Sequence, residues 1–144
     1  MKLIFLVSFM STLFNTGLIW TIQLVHYPGF LKVGGTSHQK YHAFHMKAIS
    51  PLVGASMMVE LLSSVILVLF LERFSNTLLI WISLGLLAGI FLHTAFIAVP
   101  LHGKLSTAFS YDVANQLVQT NWWRTILWSF RSIMLTYVLM DMLR

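Results

Sequence analysis

The chain has 144 residues, of which 58% are hydrophobic and 9% charged, and nine Lys or Arg against four Asp or Glu leave a formal net charge of +5. Soluble domains carry about 25% charged residues, so this composition excludes an ordinary soluble globule, a disordered chain and a nucleic-acid-binding arm, whereas scattered cations on so apolar a chain suit anionic lipid. Cysteine is missing, which excludes disulfides, iron–sulfur clusters, thiolate metal sites and covalently attached haem.

Charged residues divide the chain into four apolar runs. No Asp, Glu, Lys or Arg occurs from Leu3 to Leu31 or from Phe74 to Gly103. From Ala48 to Leu71 the only one is Glu60, and from Val113 to Met140 there are Arg124 and Arg131. A membrane-crossing helix takes about 20 mostly apolar residues, and each run holds one. The expected spans are 3–26, 50–71, 77–100 and 121–142, forming a single transmembrane domain over residues 1–144. The first run is longer than a signal-peptide core and has no convincing small-residue cleavage site, so it is read as a retained helix. Gly85 and Gly89 form a small-residue face on the third span.

Four spans put both termini on one side. Lys2, Arg73 and Arg144 then lie on that side, and Lys32, Lys40, Lys47 and Lys104 on the other, a balance too even to orient the protein by its basic loops. The second connection, around Glu72 and Arg73, is short. The first holds Pro28-Gly29 and the flexible pair Gly34-Gly35, after which Ser37 or His38 starts a helix running toward Pro51. In the third, Ser110-Tyr111-Asp112 is a helix start. Tyr111, Ala114, Leu117 and Val118 recur after it at helical spacing. The fold class is therefore all-α: an integral membrane four-helix bundle with short interfacial helices in the first and third connections.

Polar residues sort by depth, because a helix rises 1.5 Å per residue. At the face carrying the first and third connections, His26, His102, Asn121 and Arg124 share one level. His38, His42 and His45 stand just before span two and lie on one helix face. Three or four of these imidazoles without a thiolate suit a transition metal such as Fe, Cu or Zn, with His26, His42, His45 and His102 as ligands. Without a metal, the same four and Arg124 are candidate acid–base residues. Gln23, Tyr41, Asn121 and Trp128 are assigned to substrate contact. Bis-His haem is disfavoured, since His93 alone lies well inside a span and has no equally deep partner. Asn15, Glu60 and Arg131 all fall roughly 15 Å from that face, near the midplane. Lone charges there cost at least about 2.5 kcal/mol, so a buried Glu60–Arg131 pair is expected, with Asn15 beside it. Trp122 and Trp123 suit an interfacial aromatic belt, while Trp128 shares an inward stripe with Asn121, Arg124 and Arg131.

Several strings carry a resemblance: Gln23-Leu24-Val25-His26-Tyr27-Pro28, Tyr41-His42-Ala43-Phe44-His45, Val99-Pro100-Leu101-His102, and Thr120-Asn121-Trp122-Trp123-Arg124-Thr125 with Trp128 and Arg131. Together they resemble small bacterial four-helix membrane proteins of unknown function. The end of span three and the opening of span four are more distantly similar to the anthrone-oxygenase-like family. The resemblance implies a four-helix membrane fold in the bacterial inner membrane and oxidative chemistry on a lipophilic substrate, and it assigns no catalytic residue.

Two functional classes follow. One is a membrane enzyme, a His-dependent and metal-dependent or metal-free oxidoreductase or oxygenase, whose lipophilic substrate enters from the bilayer. The other is a non-enzymatic conduit or binding protein for protons, a metal ion or a small lipophile, with Glu60, Arg131 and His93 as an inner relay. A helper subunit of a membrane complex is a structural variant of the second. Expected partners are membrane lipid, a lipophilic small molecule and a second copy of the chain, with no nucleic acid.

Overall fold

The computed structural model describes residues 2–33 and 36–144; the Gly34-Gly35 joint lies outside them. Four long helices account for nearly all of the described chain: α1 (Lys2–Phe30), α2 (Thr36–Leu69), α3 (Thr77–Thr107) and α4 (Tyr111–Met142). A single 3-10 turn, Leu71–Arg73, occupies the second connection. Among the described residues, α1, α2 from Ser37, and α3 are each long and apolar enough to cross a membrane. α4 has 32 residues, but Asn121, Arg124 and Arg131 on its buried face make it more polar.

Cross-helix hydrogen bonds fix the topology. Ser8 meets Ser64, Thr12 meets Glu60 and Asn15 meets Ser56, so α1 and α2 are antiparallel. Thr16 meets Ser132 and Tyr27 meets Arg124, which sets α4 antiparallel to α1. Ser83 bonds Arg131 and Thr94 bonds Arg124, which sets α3 antiparallel to α4. Both termini therefore lie at one end of an up-down-up-down bundle. Packing runs around the ring from α2 to α1, α4 and α3, and is sparsest where α2 and α3 would close it.

The helices are longer than the charge gaps suggested. The helical segments expected at residues 37–50 and 111–120 do form, but as the opening turns of α2 and α4 rather than as separate interfacial helices. Pro51 sits inside α2 without breaking it. The carbonyl it leaves without a donor belongs to Lys47, which is exposed near the bundle end, where other partners can satisfy it. Ser110 caps α4 by accepting from the Val113 amide at 3.4 Å.

α1 and α3 each contain one wide π-turn, Ile22–His26 and Thr94–Ala98. Each ends two residues before a proline, Pro28 and Pro100. An i→i+5 turn inserts one residue into the helical register. In α1 both Ile22 and Gln23 are consequently buried, and the inward stripe resumes at Tyr27 and Phe30. The two halves of the chain thus share a device, a π-turn followed two residues later by a proline.

Polar groups point inward and apolar groups outward. Two apolar clusters occupy the interior: one around Ile19, Leu87, Leu117 and Trp128, the other around Phe5, Leu67, Ile80 and Leu135 toward the termini. Between them lies a polar layer of Ser8, Thr12, Glu60, Ser64, Ser83 and Arg131. Leu24, Leu62, Leu92, Phe96, Phe130 and Ile133 are exposed on the outside, the inverse of a water-soluble fold.

Candidate functional site

The midplane charges pair as their depths required. Arg131 Nε lies 2.8 Å from Glu60 Oε1, and both side chains are essentially inaccessible. Glu60 is saturated: Oε1 also accepts from Thr12 at 2.7 Å, and Oε2 accepts from Asn15 Nδ2 at 2.7 Å and Trp128 Nε1 at 3.1 Å. Arg131 donates further to Ser83, through both its carbonyl and its hydroxyl, and to Ser64. Every strong polar group of the pair has a partner, so the unit is closed.

Two turns earlier on α4, Arg124 is equally buried but differently surrounded. Its Nε and Nη2 donate to Asn121 Oδ1, its Nη1 to Thr94 Oγ1 at 3.3 Å and its Nη2 to Tyr27 Oη at 3.1 Å. All these acceptors are neutral. Asn121 is held in turn by its own Nδ2 donating to Gln23 Oε1 at 2.8 Å, and Gln23 is anchored by donating to the Val118 carbonyl. Gln23 and Asn121, expected to touch substrate, instead orient Arg124.

From Tyr27 a hydrogen-bond chain runs toward the loop face. Tyr27 Oη is 2.9 Å from His102 Nε2, His102 Nδ1 is 3.1 Å from His42 Nε2, and His42 Nδ1 is 3.4 Å from Ser106 Oγ. Arginine can only donate, so it sets the direction. Buried Tyr27 accepts from Arg124, leaving its own proton for His102 Nε2. His102 then carries its proton on Nδ1 and donates to His42 Nε2. His42 is likewise protonated on Nδ1 and faces Ser106, whose hydroxyl donates to the His102 carbonyl at 2.9 Å. Both imidazoles are neutral Nδ1–H tautomers in this arrangement, and the chain ends at Ser106, an exposed residue.

The remaining histidines flank this chain. The His45 ring lies 5.9 Å from that of His102 and 5.6 Å from that of His26, and Phe30 packs against His38, His42, His45 and His102. His38 stacks on His42 at 5.7 Å and bonds the Val33 carbonyl. His26, His45, His102 and His42 are therefore brought together as a row of rings, each 5.3–5.9 Å from the next. The tetrahedral arrangement needed for a shared ion is not formed: among the described residues no group of three or more His, Asp or Glu is placed to hold a metal. The nitrogens of His42 and His102 are directed at each other, at Tyr27 and at Ser106. Tyr41 packs on Phe30, ring to ring at 5.7 Å, and does not line the cavity beside Arg124. His93 makes no hydrogen bond to a described residue, so the expected inner relay through Glu60, Arg131 and His93 is not continuous.

Beside Arg124 and the relay lies a cavity of about 200 Å³ between all four helices. Tyr27, His45, Thr94, His102 and Arg124 line one end, and Asn15 and Trp128 the other. Ile19, Ile22, Val53, Met57 and Ala98 supply apolar walls. Met46, Ile49, Gly54 and Val99 border it along the thin α2–α3 seam. Trp128, expected to point inward, lines the cavity; Tyr27 and Thr94, which also line it, and Ser106, which ends the relay outside it, were not among the expected site residues.

Comparison with protein families, curated proteins and solved structures finds no match for this chain.

Proposed function

We propose that this chain is a membrane-embedded, His-dependent enzyme that performs acid–base chemistry on a small lipophilic substrate held in the four-helix cavity. The observation that carries this reading is the directed chain from Arg124 through Tyr27, His102 and His42 to Ser106. It connects a buried, mostly apolar chamber to an exposed hydroxyl, so a proton can be exchanged between bound substrate and the aqueous face without water entering the chamber. Tyr27 and His102 would hand a proton to, or take one from, a substrate oxygen or the carbon beside it. That is the part of an oxidoreductase or oxygenase reaction that side chains perform unaided.

Size and access agree with a lipophile. An engineered cavity of about 150 Å³ accepts benzene, so this chamber holds one substituted ring or a short alkyl segment. The thin α2–α3 seam opens sideways, toward the bilayer when the three apolar helices cross it. α4 crosses with them in this reading: its outer face carries Ile126, Phe130, Ile133 and Met140, all exposed, and its charges are turned inward. A proton conduit through the same helices is less well supported, since it would have to pass water along apolar walls and reach a saturated Glu60.

The test is extraction and mass spectrometry of lipophiles copurifying with the protein in nanodiscs, with metal analysis of the same sample. The reading expects a small oxygenated lipophile that is lost from a Val53→Trp/Ala98→Phe variant. An empty chamber, together with no displacement of bound probe by that variant, would overturn it. Stoichiometric zinc, copper or iron lost from His42→Ala would instead favour a metal centre. Because the chain has no cysteine, Lys32→Cys, Ser75→Cys and Lys104→Cys give clean topology probes. Positions 32 and 104 should label from one side of the membrane and 75 from the other.

A further inference from the structure

We infer that the cavity takes a lipophilic monoanion, a carboxylate-headed molecule whose counter-charge is Arg124. The inference rests on reading the chamber as a lipophile site and goes beyond it by naming the head group.

Arg124 is 4% exposed, and an arginine stays protonated at any pH the protein meets. The chain has four acidic residues, and none answers it. Glu60 is spent on Arg131, Glu72 lies in the second connection beside Arg73, and Asp141 bonds Asn76 at the other end of the bundle. Asp112 is exposed in the first turn of α4, three turns and more from Arg124. Arg131, on the same helix, shows what this fold does with a buried cation when it supplies the anion itself.

The guanidinium also has capacity left. It carries five N–H groups, and its bonds to Asn121, Thr94 and Tyr27 use four of them. The fifth, on Nη1, has no partner among the described residues, and Arg124 lines the cavity. Thr94 and Tyr27 stand beside it with their protons committed to the Ile90 carbonyl and to His102, so the free N–H of Arg124 is the charged donor that an oxygen bound there would meet. Burial strengthens such a charge-assisted bond.

The count of charges limits the ligand to one. No lysine lines the chamber; of the two histidines that do, His102 is held neutral by its bonding, and His45 is buried against the rings of His26, Phe30 and His102 with no anion beside it. A phosphate ester or a dicarboxylate would bring more negative charge than Arg124 answers, and a cationic amphiphile would meet like charge. The apolar walls require the rest of the molecule to be hydrocarbon, which separates a carboxylate lipophile from a small soluble anion.

The experiment is calorimetric titration of the full-length protein in nanodiscs of zwitterionic lipid with four probes: decanoate, decanol, decylamine and acetate. Decanoate should bind at least about tenfold more tightly than decanol, equivalent to about 1.4 kcal/mol, with decylamine and acetate weaker than either. Arg124→Met should bring decanoate and decanol to within about twofold of each other, and Arg124→Lys should keep part of the preference. The comparison within the unaltered protein stands even where a variant fails to fold. Equal binding of decanoate and decanol would overturn the monoanion and leave the lipophile chamber standing. Binding of acetate as tight as decanoate would show a plain anion site and overturn the carboxylate lipophile. Failure of all four probes would overturn both the monoanion and the chamber.

Discussion

Two arginines on one face of α4, Arg124 and Arg131, are only 4% and 1% exposed, yet their surroundings are opposite. Arg131 lies against a carboxylate and five hydroxyl or carbonyl oxygens, in a layer sealed by apolar clusters. Arg124 meets only neutral acceptors, keeps a free N–H and borders a cavity. Bringing a charge into a low-dielectric interior is expensive unless it is paired and hydrogen-bonded. A fold that pairs one cation completely and leaves the other beside a chamber suits the first to a joint and the second to the receptor proposed above. Saturation, more than burial, separates the two roles.

The largest effect expected from breaking this contrast is at the closed pair. Glu60→Gln or Arg131→Met should each destabilise the protein by about 3–5 kcal/mol, because each strands the opposite charge, and the loss should be read as a lower thermal midpoint in detergent. The double variant should recover only part, since one amide oxygen cannot replace both carboxylate oxygens for Thr12, Asn15 and Trp128, and methionine donates nothing to Ser83. If both single variants melt like the unaltered protein, the pair does not hold the bundle.

Arg124→Met should cost far less, within about 1.5 kcal/mol, because the charge-assisted bonds lost are offset by removing an unpaired buried cation and no counter-charge is stranded. A loss as large as that for Arg131→Met would erase the distinction between joint and receptor. Tyr27→Phe comes next, at about 1 kcal/mol. Its sharper readout is nitrogen NMR of labelled histidine: two rings of the unaltered protein should be Nδ1–H tautomers, and the variant should free His102 to move its proton to Nε2. Finding His42 and His102 as Nε2–H tautomers before substitution would contradict the direction set by Arg124. The smallest effect is expected for Ser106→Ala, about 0.5 kcal/mol or less, because its bond to His42 is long at 3.4 Å. It should slow proton exchange of His42 with water while leaving probe binding unchanged.

The Glu60–Arg131–Asn15 unit was legible in the sequence because depth along a helix is fixed by its rise, and charges in hydrocarbon have few alternatives to meeting one another. The stripe Asn121, Arg124, Trp128 and Arg131 was legible for a similar reason: α4 runs without interruption, so its period holds. Tyr27 was not. It follows the π-turn at Ile22–His26, and one extra residue rotates everything beyond it relative to an unbroken helical wheel. Thr94 opens the matching turn in α3 and keeps the face of buried Leu87 and Ile90, but a lone threonine there gave no sign of its partner, Arg124. Ser64, Ser83 and Ser106 gave no signal because small hydroxyls are common on membrane helices, and only a partner across the interface distinguishes one from another. Tyr41 neighbours His42 in sequence, but neighbouring residues on a helix point about 100° apart, and its ring packs on Phe30 rather than lining the cavity.

Composition and the four charge gaps by themselves determined an all-helical chain with long apolar helices, the depth of its buried charges and the gathering of histidines at one end, since these depend only on hydrophobicity, helix rise and chain order. The tertiary structure alone decided that the imidazoles bond to each other and to Tyr27 instead of surrounding a common point. It alone left Arg124 without an anion beside an open chamber and made the α2–α3 seam the thin one. Those outcomes depend on helix rotation and side-chain reach across interfaces, where a one-residue shift of register changes which atoms meet.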